Sequence, residues 1–289
     1  MIQAVTLDCW GTLLLDSPAS DDRYKPQRLA GIERILTTSG VQVARSDLDQ
    51  AYWESGRRLG RIWQRCRDVP MSQHVIALLE ALDSTLPKRL SPDVLAALIE
   101  AYASPALRVP PAVDEGGVAA LQELADWGVA LGVVSNTMRT PGDVLRQVLD
   151  RSGLLAPLKV LTFSDECGIR KPDPEMFLLT LRQVGVAPQN AVHVGDDPIL
   201  DVEGAREAGM RVIQVTANGR ATAPVKPDAA IRSLSEARGA EPAETVNALA
   251  RKPRWRAEGS APGRIAPVGV GTRTGDGGIE RPIRGGCAS

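Results

Sequence analysis

Strand-like runs alternate with helical ones through much of this 289-residue chain, and that alternation restricts the fold more than any other feature. Ile2–Leu7, Val129–Val134, Leu158–Phe163, Ala191–Val194 and Arg211–Val215 are short, apolar and rich in β-branched residues, as strands buried on both faces are. Helical patterns precede or separate the last four: Val118–Trp127, Pro141–Arg151, Pro174–Val184 and Leu200–Ala208. Asp114 and Asp173 stand where caps belong, and Gly128, Gly153, Gly185 and Gly209 stand where helices stop. The reading is an α/β fold with a doubly wound, mainly parallel sheet, a Rossmann-like core covered by helices on both faces.

The first strand is separated from the second by a long insert, roughly Pro18 to Leu107, with no strand signal. It carries four helical patterns, near Tyr24–Ser39, Ser46–Cys66, Ser72–Leu82 and Pro92–Tyr102. Such a stretch is too long for a crossover helix and too patterned for a loop. It reads as an all-helical domain (18–107) set into an α/β core (1–17 and 108–235). The remainder, 236–289, is a basic tail. From Arg251 to Ser289 there are eight Lys/Arg against three Asp/Glu, with nine glycines and four prolines in 39 residues. A segment of that composition buries too little apolar surface to offset its ordering entropy, so disorder is expected.

Net charge is −1, so the rest of the chain carries −1 − 5 = −6, and no single basic field marks it as a nucleic-acid binder. No apolar run approaches the ~20 residues that span a bilayer. The first residues lack a basic segment followed by a small-residue cleavage site. The four cysteines are scattered and have no Cys-x-x-Cys spacing, which argues against zinc and against a disulfide framework. A cytoplasmic setting and no membrane are expected. Oligomeric state is not readable.

Chemistry-bearing residues sit at strand ends. Val5-Thr6-Leu7-Asp8 ends an apolar run in a carboxylate, and Cys9-Trp10-Gly11-Thr12 follows. Ser135-Asn136-Thr137 follows the second strand. Arg170-Lys171-Pro172-Asp173 precedes a helix, and Gly195-Asp196-Asp197 with Asp201 follows the fourth strand. Open α/β sheets bind ligands at those ends. Any one of these signals occurs by chance; the ordered set of four carries the weight. His193, inside a strand, reads as a packed core residue.

Together these segments resemble the four motifs of the haloacid dehalogenase superfamily over about residues 1–220, and the helical insert resembles that superfamily's first type of cap. The resemblance implies a hydrolase in which Asp8 attacks the substrate and forms an aspartyl intermediate. It implies that Ser135 and the backbone of Asn136 hold the transferred group, that Thr12 helps to fix the site, and that Lys171 neutralises charge. It further implies that Mg²⁺ is held by Asp8 and Asp196, with Asp197 or Asp201 in support. An anionic small molecule is the implied substrate.

One departure bears on the reaction. Where the superfamily's phosphatases carry a second aspartate as general acid and base, this chain has Trp10. Indole donates a hydrogen bond and cannot shuttle a proton. Trp10 is therefore assigned to substrate binding, with Asn136. Three functions stay open: a Mg²⁺-dependent phosphatase acting on a good leaving group such as an acyl phosphate, a metal-free 2-haloacid dehalogenase-like enzyme, or a non-catalytic binding or regulatory protein. An arginine of the insert, among Arg57, Arg58, Arg61, Arg65 and Arg67, is a candidate for reaching across to a substrate anion.

Overall fold

The computed structural model describes residues 1–15, 21–114, 116–216 and 225–238. The strands are β1 (Ala4–Leu7), β2 (Ala130–Ser135), β3 (Val160–Phe163), β4 (Ala191–Gly195), β5 (Arg211–Val215) and β6 (Ala229–Ile231). The helices of the insert are α1 (Asp21–Thr38), α2 (Arg45–Trp63), α3 (Met71–Leu82), α4 (Leu86–Arg89), α5 (Pro92–Ala103) and α6 (Pro105–Arg108). Those of the core are α7 (Gly117–Asp126), α8 (Gly142–Arg151), α9 (Ser164–Cys167), α10 (Pro174–Val184) and α11 (Gly204–Glu207).

All strand pairs are parallel, in the order β3-β2-β1-β4-β5-β6. The order reverses between β1 and β4, so the crevice at this switch point opens beside the last residues of both strands. Leu7 is level with Val133 and Val194, and the Asp8 N–H donates to the Val194 carbonyl at 2.9 Å. Asp8 therefore emerges one residue beyond the ladder, level with the start of the Gly195-Asp196-Asp197 turn.

Burial explains the strands. Val5, Leu7, Leu131 and Val133 belong to one apolar layer, and Ala4, Val134, Met176, Phe177 and Val212 to the other. Helix α10 follows its punctuation: the Asp173 side chain accepts from Glu175 N–H, Pro174 opens the helix, and Gly185 ends it at φ +69°. Pro198 opens a wide π-type turn, Pro198–Glu203, that runs into α11 where a single regular helix over Leu200–Ala208 was expected. The sequence reading missed β6, a three-residue strand at the sheet edge.

Between β1 and β2 the described residues are all helical or connecting, as the absence of strand patterning implied. Helix α2 packs on α3, and α1 on α5. The segment after α2 returns to the core: Arg67 bridges to Ile169, with Asp68 N–H donating to Gly168 O and Arg170 N–H to Cys66 O, each at 3.0 Å. The insert thus grips the loop that carries Lys171. Residues 239–289, and so nearly all of the expected disordered tail at 236–289, lie outside the described residues.

Candidate active site

Asp8 is buried at the tip of β1, and the loop after it is shaped by Gly11 at φ +80°. A side chain at position 11 would put its Cβ 2.5 Å from Asp196 Oδ2, so only glycine lets the two strand ends approach this closely. Gly195 is equally constrained, since a Cβ there would lie 2.3 Å from Asp201 Cγ. Asp8, Asp196 and Asp201 each offer a carboxylate oxygen, and the three oxygens lie within 4.8 Å of one another.

Lys171 Nζ donates to Asp8 Oδ1 and to Asp201 Oδ1, both at 2.6 Å. Its backbone is fixed from β2: Asn136 Nδ2 donates to Lys171 O at 3.1 Å, and Lys171 N–H donates to Asn136 Oδ1 at 2.9 Å. The Asn136 side chain is thus committed to placing the lysine. Asp201 is held by the Asp197 N–H at 2.9 Å and lies 3.1 Å from His193 Nε2, whose other ring nitrogen meets Thr6 Oγ1 at 2.9 Å. His193 is the packed residue the sequence suggested, edge-on to Phe177, but it also braces the lysine's second carboxylate. Its signal was a polar residue inside an otherwise apolar strand.

These groups shift one another. The Asp8 carboxyl is pushed up to about 7: burial is the largest cause, Asp201 and Asp196 add to it, and Lys171 opposes. Burial works against the Lys171 charge, yet Asp201 and Asp8 outweigh it and hold the ammonium above its usual range. Burial likewise opposes the Asp201 charge, but Lys171 and His193 keep that carboxyl well below the usual carboxylate range. Cys9, next to Asp8, has its thiol pushed up by burial and by the Asp8 charge, so it offers no competing thiolate.

The other expected residues occupy distinct places. Thr12 and Ser135 are buried, and neither hydroxyl has a hydrogen-bond partner among the described residues. The Trp10 Nε1–H is likewise buried without a partner. Asp197 Oδ1 accepts from Ile199 and Leu200 N–H, capping the turn at Pro198, and this carboxylate is not in the three-oxygen cluster. A cavity of about 230 Å³ is lined by Asp8, Trp10, Asn136, Met138, Arg170, Lys171, Asp196, Asp197, Leu200 and Asp201. Seven of the expected residues thus stand beside three to which the sequence assigned no role, Met138, Arg170 and Leu200. The five arginines of α2 and its C-terminal end are exposed, and none lines this cavity. Arg58 pairs with Glu80, and Arg67 crosses to Asp173 at 2.9 Å.

Oxygen donors of this kind suit a hard divalent ion. The cluster's composition, three carboxylates with one lysine, leaves net negative charge for such an ion to balance. Buried hydroxyls without partners suit an oxygen-rich group that would supply acceptors and donors. Among the described residues no helix is long and apolar enough to cross a membrane.

A family profile described as haloacid dehalogenase-like hydrolase matches residues 2–209. The fold is similar to that of a 2-haloacid dehalogenase from Pseudomonas syringae pv. Tomato DC3000, at TM-score 0.61 and 26% identity over 86% of this chain and 99% of that one. By sequence the chain is 38% identical over 117 residues to a phosphoserine phosphatase of Thermus thermophilus, covering 40% of this chain. That match spans 46% of the relative's length, less than half. A glyceraldehyde 3-phosphate phosphatase of Methanopyrus kandleri is 28% identical over 74% of this chain and 84% of its own.

Proposed function

The chain belongs to the haloacid dehalogenase-like hydrolases, and from that premise we propose that it hydrolyses a small phosphorylated molecule, an acyl phosphate by preference, through a phosphoryl group carried on Asp8. The observation that carries the reading is the buried Asp8–Lys171–Asp201 array beside Asp196, with carboxylate oxygens close enough to share one cation. Asp8 and Asp196 would hold Mg²⁺, with Asp201 close by and the Trp10 backbone carbonyl as a further oxygen; bound there, the ion would neutralise charge between a carboxylate and an anionic phosphate.

In the first step Asp8 attacks phosphorus, the bond from phosphorus to the leaving oxygen breaks, and an aspartyl-phosphate forms. Water then attacks phosphorus, the bond from phosphorus to the Asp8 oxygen breaks, and the phosphate leaves with the water's protons as dihydrogen phosphate, restoring the Asp8 carboxylate. Lys171 favours the charged form of Asp8 against its burial and orients it, because the ammonium is itself fixed by Asp201 and by the Asn136 clamp. The Thr12 and Ser135 hydroxyls are available to bond phosphoryl oxygens. Trp10 supplies no proton, which is why a leaving group that departs as a carboxylate is favoured. The helical insert would act as the cap over the cavity, with the core formed by 1–17 and 108–235.

A second reading has its own support: an aromatic residue at position 10 and likeness to a 2-haloacid dehalogenase at 26% identity. In it Asp8 attacks carbon, and halide leaves without a proton or a metal. Acetyl phosphate, an alkyl phosphate and a 2-chloroacid, each assayed with and without chelator, separate the two. The proposal expects chelator-sensitive phosphate release, fastest from acetyl phosphate. Chelator-resistant chloride release would replace it with the second reading, and silence on all three would leave a binding role.

A further inference from the structure

We infer that Arg170, positioned by Asp68 of the helical insert, selects substrates carrying a second, non-reacting anionic group, so that the preferred substrate is a short acyl phosphate that also carries a free carboxylate. This rests on the phosphate reading of the same site and adds to it a substrate class and two residues.

Two of the three Lys171 N–H donors are held by Asp8 and Asp201, which keeps this cation at the reacting centre rather than at a remote group of the substrate. Arg170 is the other cation lining the cavity, and it is buried. Its Nη1 donates to Asp68 Oδ2 at 2.5 Å and to Ser164 Oγ at 3.4 Å. Its Nη2 meets the Met138 sulfur at 3.1 Å, a weak acceptor. Neither Nη2 nor Nε bonds an oxygen among the described residues. A buried guanidinium with one edge satisfied and the other offered to sulfur is suited to accept a carboxylate.

The rest of the surroundings hold it in that posture. The guanidinium carbon sits 4.7 Å from the Trp63 ring centroid, which fixes its plane. Asp68 is itself fully engaged: Oδ1 accepts from Trp63 Nε1 and from Val69 N–H, both at 2.9 Å, and Oδ2 accepts from Ser164 Oγ at 2.5 Å. Met138 lies at φ +50°, a conformation that bulky side chains rarely adopt, and it lines the cavity beside Arg170. Two of the groups gripping Arg170, Asp68 and Trp63, come from the insert, so the insert contributes to selection without lining the cavity itself. At about 230 Å³ the cavity is below the ~300–1,000 Å³ of sites for larger ligands, which limits the substrate to a few carbons.

The test is binding, which does not require turnover. Phosphonoacetate and phosphonoacetamide share a phosphonate and a shape, and differ in the charge of the remote group. Each is titrated calorimetrically into the full chain with Mg²⁺ present. The wild type should bind phosphonoacetate roughly tenfold tighter or more, the scale of one charge-assisted hydrogen bond. Arg170→Gln should abolish that ratio, Arg170→Lys should keep part of it, and Asp68→Asn should shrink it. Equal affinities in the wild type, or a ratio that survives Arg170→Gln, would overturn the inference while the phosphate reading stands. If neither compound binds the wild type, the phosphate reading fails and takes the inference with it. Should Arg170→Gln not fold, the wild-type ratio and Arg170→Lys decide.

Discussion

At the scale of single residues, the candidate site holds Lys171 and Asp201 by several partners each and leaves the Thr12, Ser135 and Trp10 polar atoms unpaired among the described residues. Asp8 and Lys171 were legible because a charged residue at the end of an apolar run, or before a capped helix, has few structural uses. The Asn136 clamp and Arg170 were not legible, because each depends on a partner far along the chain, and the His193–Asp201 contact, though only eight residues apart, depends on the π-type turn that no local pattern marked. Trp10 was legible as a departure, and it carries a prediction. Trp10→Asp restores a group able to give and take a proton, so alkyl phosphate hydrolysis should rise, by ~10²-fold if general acid catalysis is recovered at its lower range. Removing a buried indole also opens a cavity costing ~3–5 kcal/mol, so the melting temperature must be followed beside the rate. No gain in a folded variant would mean that Trp10 belongs to a different chemistry. Gly195→Ala is a steric counterpart: the new methyl would displace Asp201, and denaturant titration should show a loss of about 1–3 kcal/mol together with loss of activity. An unchanged midpoint and rate would show that Asp201 has room the structure does not give it.

At the scale of elements, helix ends explain where polar side chains go. Asp173 and Asp197 each cap the turn that follows; the sequence placed Asp173 at a cap but pointed to Asp197 as metal support. Asp165 of α9 does the same across the fold, with both carboxylate oxygens 3.3 Å from the Gly142 N–H at the start of α8. A cap contributed by a distant element leaves no local pattern, so this one was invisible in the sequence. Burial is the main reason the Asp165 carboxyl is pushed up to about 6, with the Gly142 bond opposing. Its folded value lies above the unfolded one, so the fold prefers the neutral form. That contribution is complete below pH about 4 and is lost as pH rises through about 6. Asp165→Asn keeps an acceptor and removes the titration. Chemical denaturation between pH 4 and 8 should therefore show the variant gaining on the wild type as pH rises, by at most about 3 kcal/mol. A constant difference across that range would contradict the assignment.

At the scale of the whole molecule, alternation of buried strands with punctuated helices made the core readable, because strands covered on both faces are apolar throughout. The insert was readable as helical, but not how it attaches. Attachment rests on buried polar contacts between residues far apart in sequence. Arg28 of α1 is the largest of these: its Nε donates to Tyr102 O at 2.9 Å, and its Nη2 donates to Arg139 O at 2.9 Å and to Thr140 Oγ1 at 3.2 Å. It therefore ties α1 and α5 to the loop after β2. Arg28→Met keeps much of the volume and removes the donors, leaving buried carbonyls without their bonds. Equilibrium unfolding should show a loss of about 2–4 kcal/mol. A loss under about half a kcal/mol would mean that the insert is held chiefly by apolar packing.

The central claim is that Asp8 carries the transferred group, and it can be read directly on the protein. Wild type and Asp8→Asn are mixed with acetyl phosphate and Mg²⁺, quenched in acid within the first turnover, and digested at low pH for peptide mass analysis. The account predicts one added phosphoryl group on the peptide containing Asp8 in the wild type, and neither label nor phosphate release in the variant. Undiminished phosphate release by Asp8→Asn, or a label carried on another residue, would contradict it.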